Sequence, residues 1–92
     1  MNGVRGEVEA ELGGRMRRLC LTLGALAEIE TALGVGGAGA LAERMAGLSA
    51  REVEAVLAAL LKGGAEGDAD LSDVTPLEAA RAIAAAFRAA AP

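Results

Sequence analysis

Three glycines form the only pattern in the sequence that resembles a nucleotide-binding motif. Gly34, Gly36 and Gly39 spell G-x-G-x-x-G, which lets a backbone approach a dinucleotide pyrophosphate at a helix N-terminus. That chemistry requires the motif to follow a strand inside a βαβ unit. Here the motif follows a predicted helix, and a chain of 92 residues is too short for a doubly wound sheet. The sequence therefore favours a flexible connection over a nucleotide site.

An acidic segment near residue 70 resembles the opening of a calcium loop. Asp68, Asp70, Ser72 and Asp73 offer the oxygen ligands that hard cations prefer. However, Asp73 stands where the loop needs a glycine, and Ala79 stands where it needs a bidentate glutamate. We therefore predict a solvated acidic loop. With no histidine and one cysteine, the sequence also predicts no zinc site, and we expect no bound metal.

The nucleophilic side chains have no activating base. Serine, threonine and cysteine nucleophiles need one, and the sequence contains no histidine. We interpret Cys20 as a small buried hydrophobe. The glutamates that we interpret as ordinary solvated carboxylates are Glu7, Glu9, Glu11, Glu28, Glu30, Glu52 and Glu54. We predict no enzyme, no catalytic residue, no cofactor and no small-molecule substrate.

Arg15, Arg17 and Arg18 form the basic cluster of the chain. Contact with nucleic acid would favour net positive charge and stacking aromatic side chains. The formal charge is −4 and Phe87 is the single aromatic residue. We therefore expect the arginines to pair across a hairpin with the acidic residues Glu7, Glu9 and Glu11.

The composition bounds the size and the compartment of the protein. The chain has room for one modest core, and alanine supplies much of its 53% hydrophobic content, so we expect self-association or a partner to add stability. One cysteine cannot form an internal disulfide. No apolar run approaches the roughly 20 residues that span a bilayer, and the first residues lack the apolar core of a signal peptide. We expect a soluble, intracellular protein with no membrane partner.

Two strands are predicted before the first helix. Residues 7–12, EVEAEL, alternate glutamate with apolar residues, and Gly13-Gly14 offers the positive φ angles of a tight turn. The return strand begins at Arg15. Its apolar residues, which we expect the helices to cover, are Leu19, Leu21 and Leu23. This places the hairpin at 6–22.

The pattern leaves two registers for the hairpin. A two-residue loop would set Val8 opposite Leu19, whereas a three-residue loop would set Glu9 opposite Arg17. The first register aligns apolar residues and the second aligns opposite charges. Because burial of the leucines should contribute more, we favour the first.

Capping signals predict the helices. Thr22 can cap the first helix, and Ser49 with Glu52 and Thr75 with Glu78 form two capping boxes. Glycines end the first and third helices. The predicted helices are at about 23–33, 39–46, 50–62 and 76–90. The acidic, glycine-rich loop at 63–73 joins the last two.

Apolar stripes indicate which side of each helix is buried. The first helix has Leu26, Ile29 and Leu33, and the third has Val53, Val56, Leu57, Leu60 and Leu61. The stripe of the last helix is Leu77, Ala80, Ala84 and Phe87, with Ile83 beside it. We predict an α+β fold in which an N-terminal β-hairpin is followed by three to four packed helices. It forms a single small domain at 6–90, after a flexible tail at 1–5.

One long segment resembles a known family. The residues from Arg5 to Gly34 read RGEVEAELGGRMRRLCLTLGALAEIETALG, and the part LCLTLGALAEIE is the most specific. They are similar to the opening of a small family encoded in the tail-gene clusters of gene transfer agents and related phages. Its members are described as tail assembly chaperones or tail tube proteins. The likeness continues more weakly to about Phe87.

This resemblance implies a protein of phage-like tail morphogenesis and no enzyme. The protein would act in the bacterial cytoplasm as a chaperone that binds the tape-measure protein before the tail tube subunits polymerise around it. Two alternatives stay open: a structural component retained in the particle tail, and a regulatory module that binds a transcription factor or, through Arg15, Arg17 and Arg18, nucleic acid. The resemblance transfers no contact residues, so the partner-binding residues stay unassigned.

Overall fold

The computed structural model describes residues 6–91, apart from the side chain of Ala38, so the predicted tail at 1–5 lies outside the described residues. Two strands, β1 (Glu7–Leu12) and β2 (Arg15–Cys20), come first. Four helices follow: α1 (Leu23–Leu33), α2 (Ala38–Met45), α3 (Ala50–Gly63) and α4 (Pro76–Ala90). The predicted α+β fold, a hairpin followed by packed helices, is confirmed.

The hairpin has the register that burial favoured. β1 and β2 pair antiparallel with Val8 opposite Leu19. Gly13 and Gly14 have φ angles of 62° and 85°, as a two-residue hairpin turn with two left-handed positions requires. Other L-residues adopt these angles at a cost, so the glycine pair determines the loop length and, through it, the register.

The leucine face of β2 is shorter than predicted. Leu19 is fully buried, but the strand ends at Cys20 and Leu23 is 84% exposed. The expectation that the helices cover Leu23 is wrong. At Thr22 the backbone turns into α1, so the side-chain period changes from 2 to 3.6 and Leu23 leaves the face that Leu19 occupies.

The predicted caps are confirmed. The Thr22 side chain accepts a hydrogen bond from the N–H of Ala25 at 3.0 Å, and Gly34 ends α1 with a left-handed φ of 70°. Ser49 and Thr75 each begin a complete capping box, at α3 and α4. These bonds satisfy N–H groups that have no partner inside the helix.

Helix α3 is the centre of the core. Its buried stripe contains Val56, Leu57, Leu60 and Leu61, as predicted. It packs against α1, α4 and β2, so it joins the hairpin to the other helices. Within residues 6–91, no helix has both the length and the hydropathy needed to cross a membrane.

Helix α4 buries a different side from the one predicted. Leu77 is 59% exposed, and Ala80 and Ala84 are exposed too, so the predicted stripe is wrong at these three positions. Phe87 is half-buried against the core and Ile83 is buried, as predicted. The buried residues are Ala79, Ala82, Ile83 and Ala86. The true stripe lies one residue earlier, which is about 100° around the helix. Small alanines let α4 lie close to β1 and α3, and the larger Ile83 is buried among them.

Candidate functional site

The predicted glycine motif lies in a connection between two helices. Gly34 is the C-terminal cap of α1, Gly36 lies in the short connection that follows, and Gly39 lies inside α2. The N-cap of α2 is Gly37, whose φ of 92° requires glycine. Because α1 and not a strand precedes the motif, the arrangement lacks the βαβ geometry that directs a glycine loop at a phosphate.

Asp70 of the acidic loop forms hydrogen bonds within the loop. Asp70 Oδ1 accepts hydrogen bonds from the N–H of Ser72 at 2.9 Å and from its hydroxyl at 2.8 Å. These bonds, led by the one from the backbone, lower the pKa of Asp70. Across the described part of the chain, no cluster of three or more histidine, cysteine or acidic side chains could hold a metal ion. The loop is a local turn that leads into α4.

The glutamates interpreted as solvated carboxylates include some that join elements of the fold. Glu28 Oε2 accepts a hydrogen bond from Lys62 Nζ at 2.9 Å and links α1 to α3. Glu30 Oε2 accepts from the N–H of Gly37 at 3.3 Å. Glu52 completes the capping box of α3. Glu9, Glu11 and Glu54 are exposed, and Glu28 is exposed as well despite its bond to Lys62.

Cys20 is a buried thiol at the end of β2. It is 1% exposed. Burial, together with the nearby charge of Glu7, raises its pKa, so the thiol is protonated at neutral pH. Since the thiolate is the reactive form, this agrees with the interpretation of Cys20 as a core residue.

The arginine cluster pairs mainly with a residue that the sequence did not single out. Arg18 Nε lies 3.7 Å from Glu7 Oε2, so one of the predicted cross-strand pairs forms. Glu66, in the turn after α3, makes the shorter contacts. Its carboxylate accepts from Arg17 Nη1 at 3.1 Å and from the backbone N–H of Arg18 at 2.7 Å. No local pattern could reveal this pair, because 48 residues separate Arg18 from Glu66.

The end of α3 closes the outer edge of β2. A Cβ atom on Gly63 would lie 2.1 Å from the carbonyl oxygen of Cys20, and one on Gly64 would lie 2.3 Å from that of Arg18. These glycines were predicted only to stop the helix, but they also let its end reach the strand. We call Gly63, Gly64 and Glu66 the β2 edge contact.

The β2 edge contact should depend on pH through Glu66. The N–H of Arg18 and then the Arg17 guanidinium lower the pKa of Glu66 below its ordinary value of 4.5. A carboxylate with a lowered pKa stabilises the fold above its unfolded-state pKa, and this stabilisation is lost as pH falls through the folded-state value. We expect Glu66→Gln to lower the free energy of unfolding by about 1 kcal/mol at pH 7, which corresponds to a fall of about 4–8 °C in Tm.

Thermal unfolding at a series of pH values measures this effect. The difference in Tm between the natural protein and Glu66→Gln should be largest at pH 7 and should shrink below pH 4.5. Glu9→Gln is the matched control, because Glu9 is exposed on the hairpin. A difference in Tm for Glu66→Gln that stays constant with pH would contradict the role of its charge.

An apolar groove lies between α3 and α4. It has a volume of about 440 Å³ and lies between the N-terminal halves of these helices and the segment that precedes α4. We call it the α3–α4 groove. Its apolar lining is Leu48, Ala50, Val53, Leu57, Leu71, Val74, Pro76 and Ala79. Arg51, Glu54 and Thr75 supply the polar part of the lining.

The two helix N-termini beside this groove do not make it an anion site. Glu52 and Glu78 close the capping boxes of α3 and α4, so each first turn already faces a carboxylate. Glu78 also accepts the N–H of Gly13 at 3.2 Å. The apolar part of the lining suits contact with apolar side chains of a partner.

A second, smaller groove of about 310 Å³ lies among α1, α2 and α4. Its larger apolar residues are Leu21, Leu26, Leu41, Met45 and Phe87. Helix α2, which forms one wall, contacts mainly α1. The two grooves leave half-buried apolar side chains that a partner could cover.

Comparison with known proteins supports the resemblance seen in the sequence. A family model described as "Phage tail tube protein, GTA-gp10" matches residues 5–92. The match includes both strands and all four helices. No curated protein and no solved structure matches the chain.

Proposed function

Because the chain belongs to the phage tail tube protein GTA-gp10 family, we propose that it assists tail assembly as a chaperone that binds the tape-measure protein. Family membership places it among the tail-related proteins of phages and gene transfer agents. The chaperone role, the tape-measure client and action in the bacterial cytoplasm are our proposal. The observation that carries it is the α3–α4 groove, which exposes apolar side chains.

The groove suits an apolar helical segment of the client. An amphipathic helix binds by laying residues at i, i+3, i+4 and i+7 into a groove between helices. Leu48, Val53, Leu71 and Val74 line the α3–α4 groove and are only half-buried, so a helix seated there would remove more of their surface from water. Each Å² of apolar surface buried contributes about 25 cal/mol before the costs of association. A client helix covered in this way would not aggregate through that face.

The closed edge of β2 favours a helper over a polymerising subunit. A structural tube subunit contacts its own copies through two complementary surfaces, and sheets readily continue from one copy to the next through strand edges. Gly64 and Glu66 occupy the β2 edge at Arg18. A sheet that continues from β2 into another copy would have to break this contact.

Co-expression with the tape-measure protein from the same gene cluster tests the proposal. We expect the two proteins to copurify, and we expect finished particles to lack this chain. Failure to copurify, together with stoichiometric presence in particles, would replace the chaperone with a structural tail component. Failure in both assays, with binding to a transcription factor or to nucleic acid, would favour a regulatory module.

Replacing Leu71 with lysine should weaken capture of the client. Leu71 is half-buried in the α3–α4 groove, so a charge there would be desolvated by a seated helix. We expect Leu71→Lys to weaken copurification by about tenfold or more, as for a central interface residue. The measurement is the ratio of client to chaperone in the pull-down.

Leu77→Lys is the matched control for this prediction. Leu77 is 59% exposed on α4 and does not line the groove. We expect Leu77→Lys to retain the client at nearly the natural ratio. Circular dichroism should show both variants folded. Equal loss with both variants would remove the groove from the binding site.

A further inference from the structure

The outer edge of β1 is a separate surface with its own chemistry. We propose that this edge binds an extended segment of another protein in which basic side chains alternate with apolar ones. The segment would add a third strand to the hairpin. This inference is independent of the chaperone proposal, because it involves a different face of the molecule from the α3–α4 groove.

The register shows which backbone groups of β1 point away from β2. In an antiparallel pair joined by a two-residue turn, the residues that flank the turn form a hydrogen-bonded pair, and bonded and non-bonded pairs then alternate. Leu12 and Arg15 flank the turn, so the pair of Glu9 and Arg18 is non-bonded. The N–H of Arg18 confirms the alternation, because it points outward and donates to Glu66. By the same alternation, Glu7, Glu9 and Glu11 direct their backbone groups outward from β1.

The two edges of the sheet differ. On β2, Gly64 and Glu66 occupy the outward groups of Arg18. On β1, the outward N–H and C=O groups of Glu7, Glu9 and Glu11 have no hydrogen-bond partner within residues 6–91. Glu9 and Glu11 are exposed. An edge with free donors and acceptors at every second residue is a template for another strand.

The side chains determine which strand fits this edge. Residues at alternate positions point to one face of the sheet, so Glu7, Glu9 and Glu11 form a row of carboxylates on one face. Glu9 and Glu11 are exposed there, whereas Glu7 is half-buried and pairs with Arg18. A strand added to β1 would place its own side chains about 5 Å from these carboxylates, where opposite charges attract. Val8 and Ala10 lie half-buried on the other face. The strand that fits therefore carries lysine or arginine on one face and apolar residues on the other.

The same row of carboxylates argues against a second copy of this chain. Two β1 strands paired through this edge, with their solvent faces on the same side, would set glutamates opposite glutamates. Like charges directly opposite each other destabilise a pair of strands. The net charge of −4 adds to the repulsion between copies. The edge is therefore open to a basic strand and closed to self-pairing.

A peptide of about six residues that alternates lysine with valine has the length of a strand and tests the inference with the full chain. The readout is the ¹H–¹⁵N NMR spectrum, which reports each backbone amide. We expect the amides of Glu7, Glu9 and Glu11 to shift and to gain protection from exchange, and we expect binding to weaken as salt is added. A peptide alternating glutamate with valine should not bind.

Two variants test where the peptide binds. Glu9→Pro removes an outward N–H without removing a bond of the hairpin, because proline is tolerated on an edge whose N–H faces solvent. We expect it to weaken binding of the lysine peptide about tenfold. Glu9→Lys with Glu11→Lys keeps the edge and reverses its charge, so it should bind the glutamate peptide instead.

Several results would overturn the inference. The first is failure of the lysine peptide to bind the natural protein, and the second is equal binding of both peptides. The third is binding that Glu9→Pro leaves unchanged, which would place the peptide elsewhere. A dimer of the natural protein in which the Glu9 amide becomes protected would overturn the exclusion of a second copy.

Discussion

Replacing Gly64 with alanine is expected to lower the free energy of unfolding by about 3 kcal/mol, a large share of the 5–15 kcal/mol typical of a domain. The added Cβ would lie 2.3 Å from the carbonyl oxygen of Arg18 and 2.6 Å from its carbonyl carbon. Both atoms belong to the backbone, so no rotamer change relieves the clash. Either the end of α3 or the edge of β2 must move. Urea unfolding followed by circular dichroism measures the loss.

A second glycine provides the control for this prediction. Gly39 lies inside α2, and a Cβ atom there would meet nothing within 4 Å. Gly39→Ala should therefore stabilise the protein by up to about 1 kcal/mol, because alanine is the better helix former. Gly64 has a φ of −90°, which other residues adopt, so backbone strain does not explain the expected loss. Equal effects of the two substitutions would show that the end of α3 does not touch β2.

Replacing Leu19 with alanine is expected to lower the free energy of unfolding by about 2–5 kcal/mol. Leu19 is fully buried between the hairpin and the helices, so truncation removes apolar contacts and leaves a cavity. The transition midpoint in urea should fall while the slope of the transition stays unchanged.

Leu23→Ala is the control, because it also replaces a leucine with alanine but at an exposed position. Leu23 is 84% exposed in the first turn of α1, so its truncation should change the free energy of unfolding by at most about 0.5 kcal/mol. The sequence pattern alone placed Leu19 and Leu23 on one buried face. Equal losses for the two variants would restore that interpretation and contradict the exposed position of Leu23.

Local signals in the sequence predicted the elements of this fold well. Caps at Thr22, Ser49 and Thr75 are bonds between residues three apart, so the sequence contains both partners side by side. For these caps the interaction that defines the structure is complete within a few residues. The glycine pair at the turn left two registers open, and the expected burial of the leucines selected the one that the structure has.

Tertiary contacts were predicted poorly, because their partners are distant in the sequence. The stripe of α4 was placed one residue too late, since an alanine-rich helix gives several faces nearly equal hydrophobicity and the contact with β1 and α3 decides among them. Glu66 showed no local mark that distinguishes it from the other residues of the acidic loop. Leu23 was assigned to the buried face of the strand because the regular spacing of the leucines does not show where the strand ends. The helix begins at the Thr22 cap, and there the side-chain period changes from that of a strand to that of a helix.

The candidate site could not be predicted from the sequence pattern either. The α3–α4 groove combines residues from α3, from the segment before α4 and from α4 itself, and its shape depends on how the two helices pack. The residues that the sequence did single out as potential ligands form a linker and a local turn. The tail-related family was indicated by the resemblance and is shown by the family match, whereas the structure supplied a groove on which the proposed partner could bind.

The β2 edge contact also constrains when the protein can fold. Arg18 bonds to Glu66, and Gly13 bonds to Glu78, which lies 65 residues further along the chain. A ribosome delivers the N-terminus first, at about 5–20 residues per second. An isolated hairpin is only marginally stable, so β1 and β2 are not stably folded during the several seconds before the helices that cover them have been synthesised. We expect the nascent chain to stay unfolded until α4 emerges and then to fold in one cooperative step, so truncation before Pro76 should leave no stable fragment.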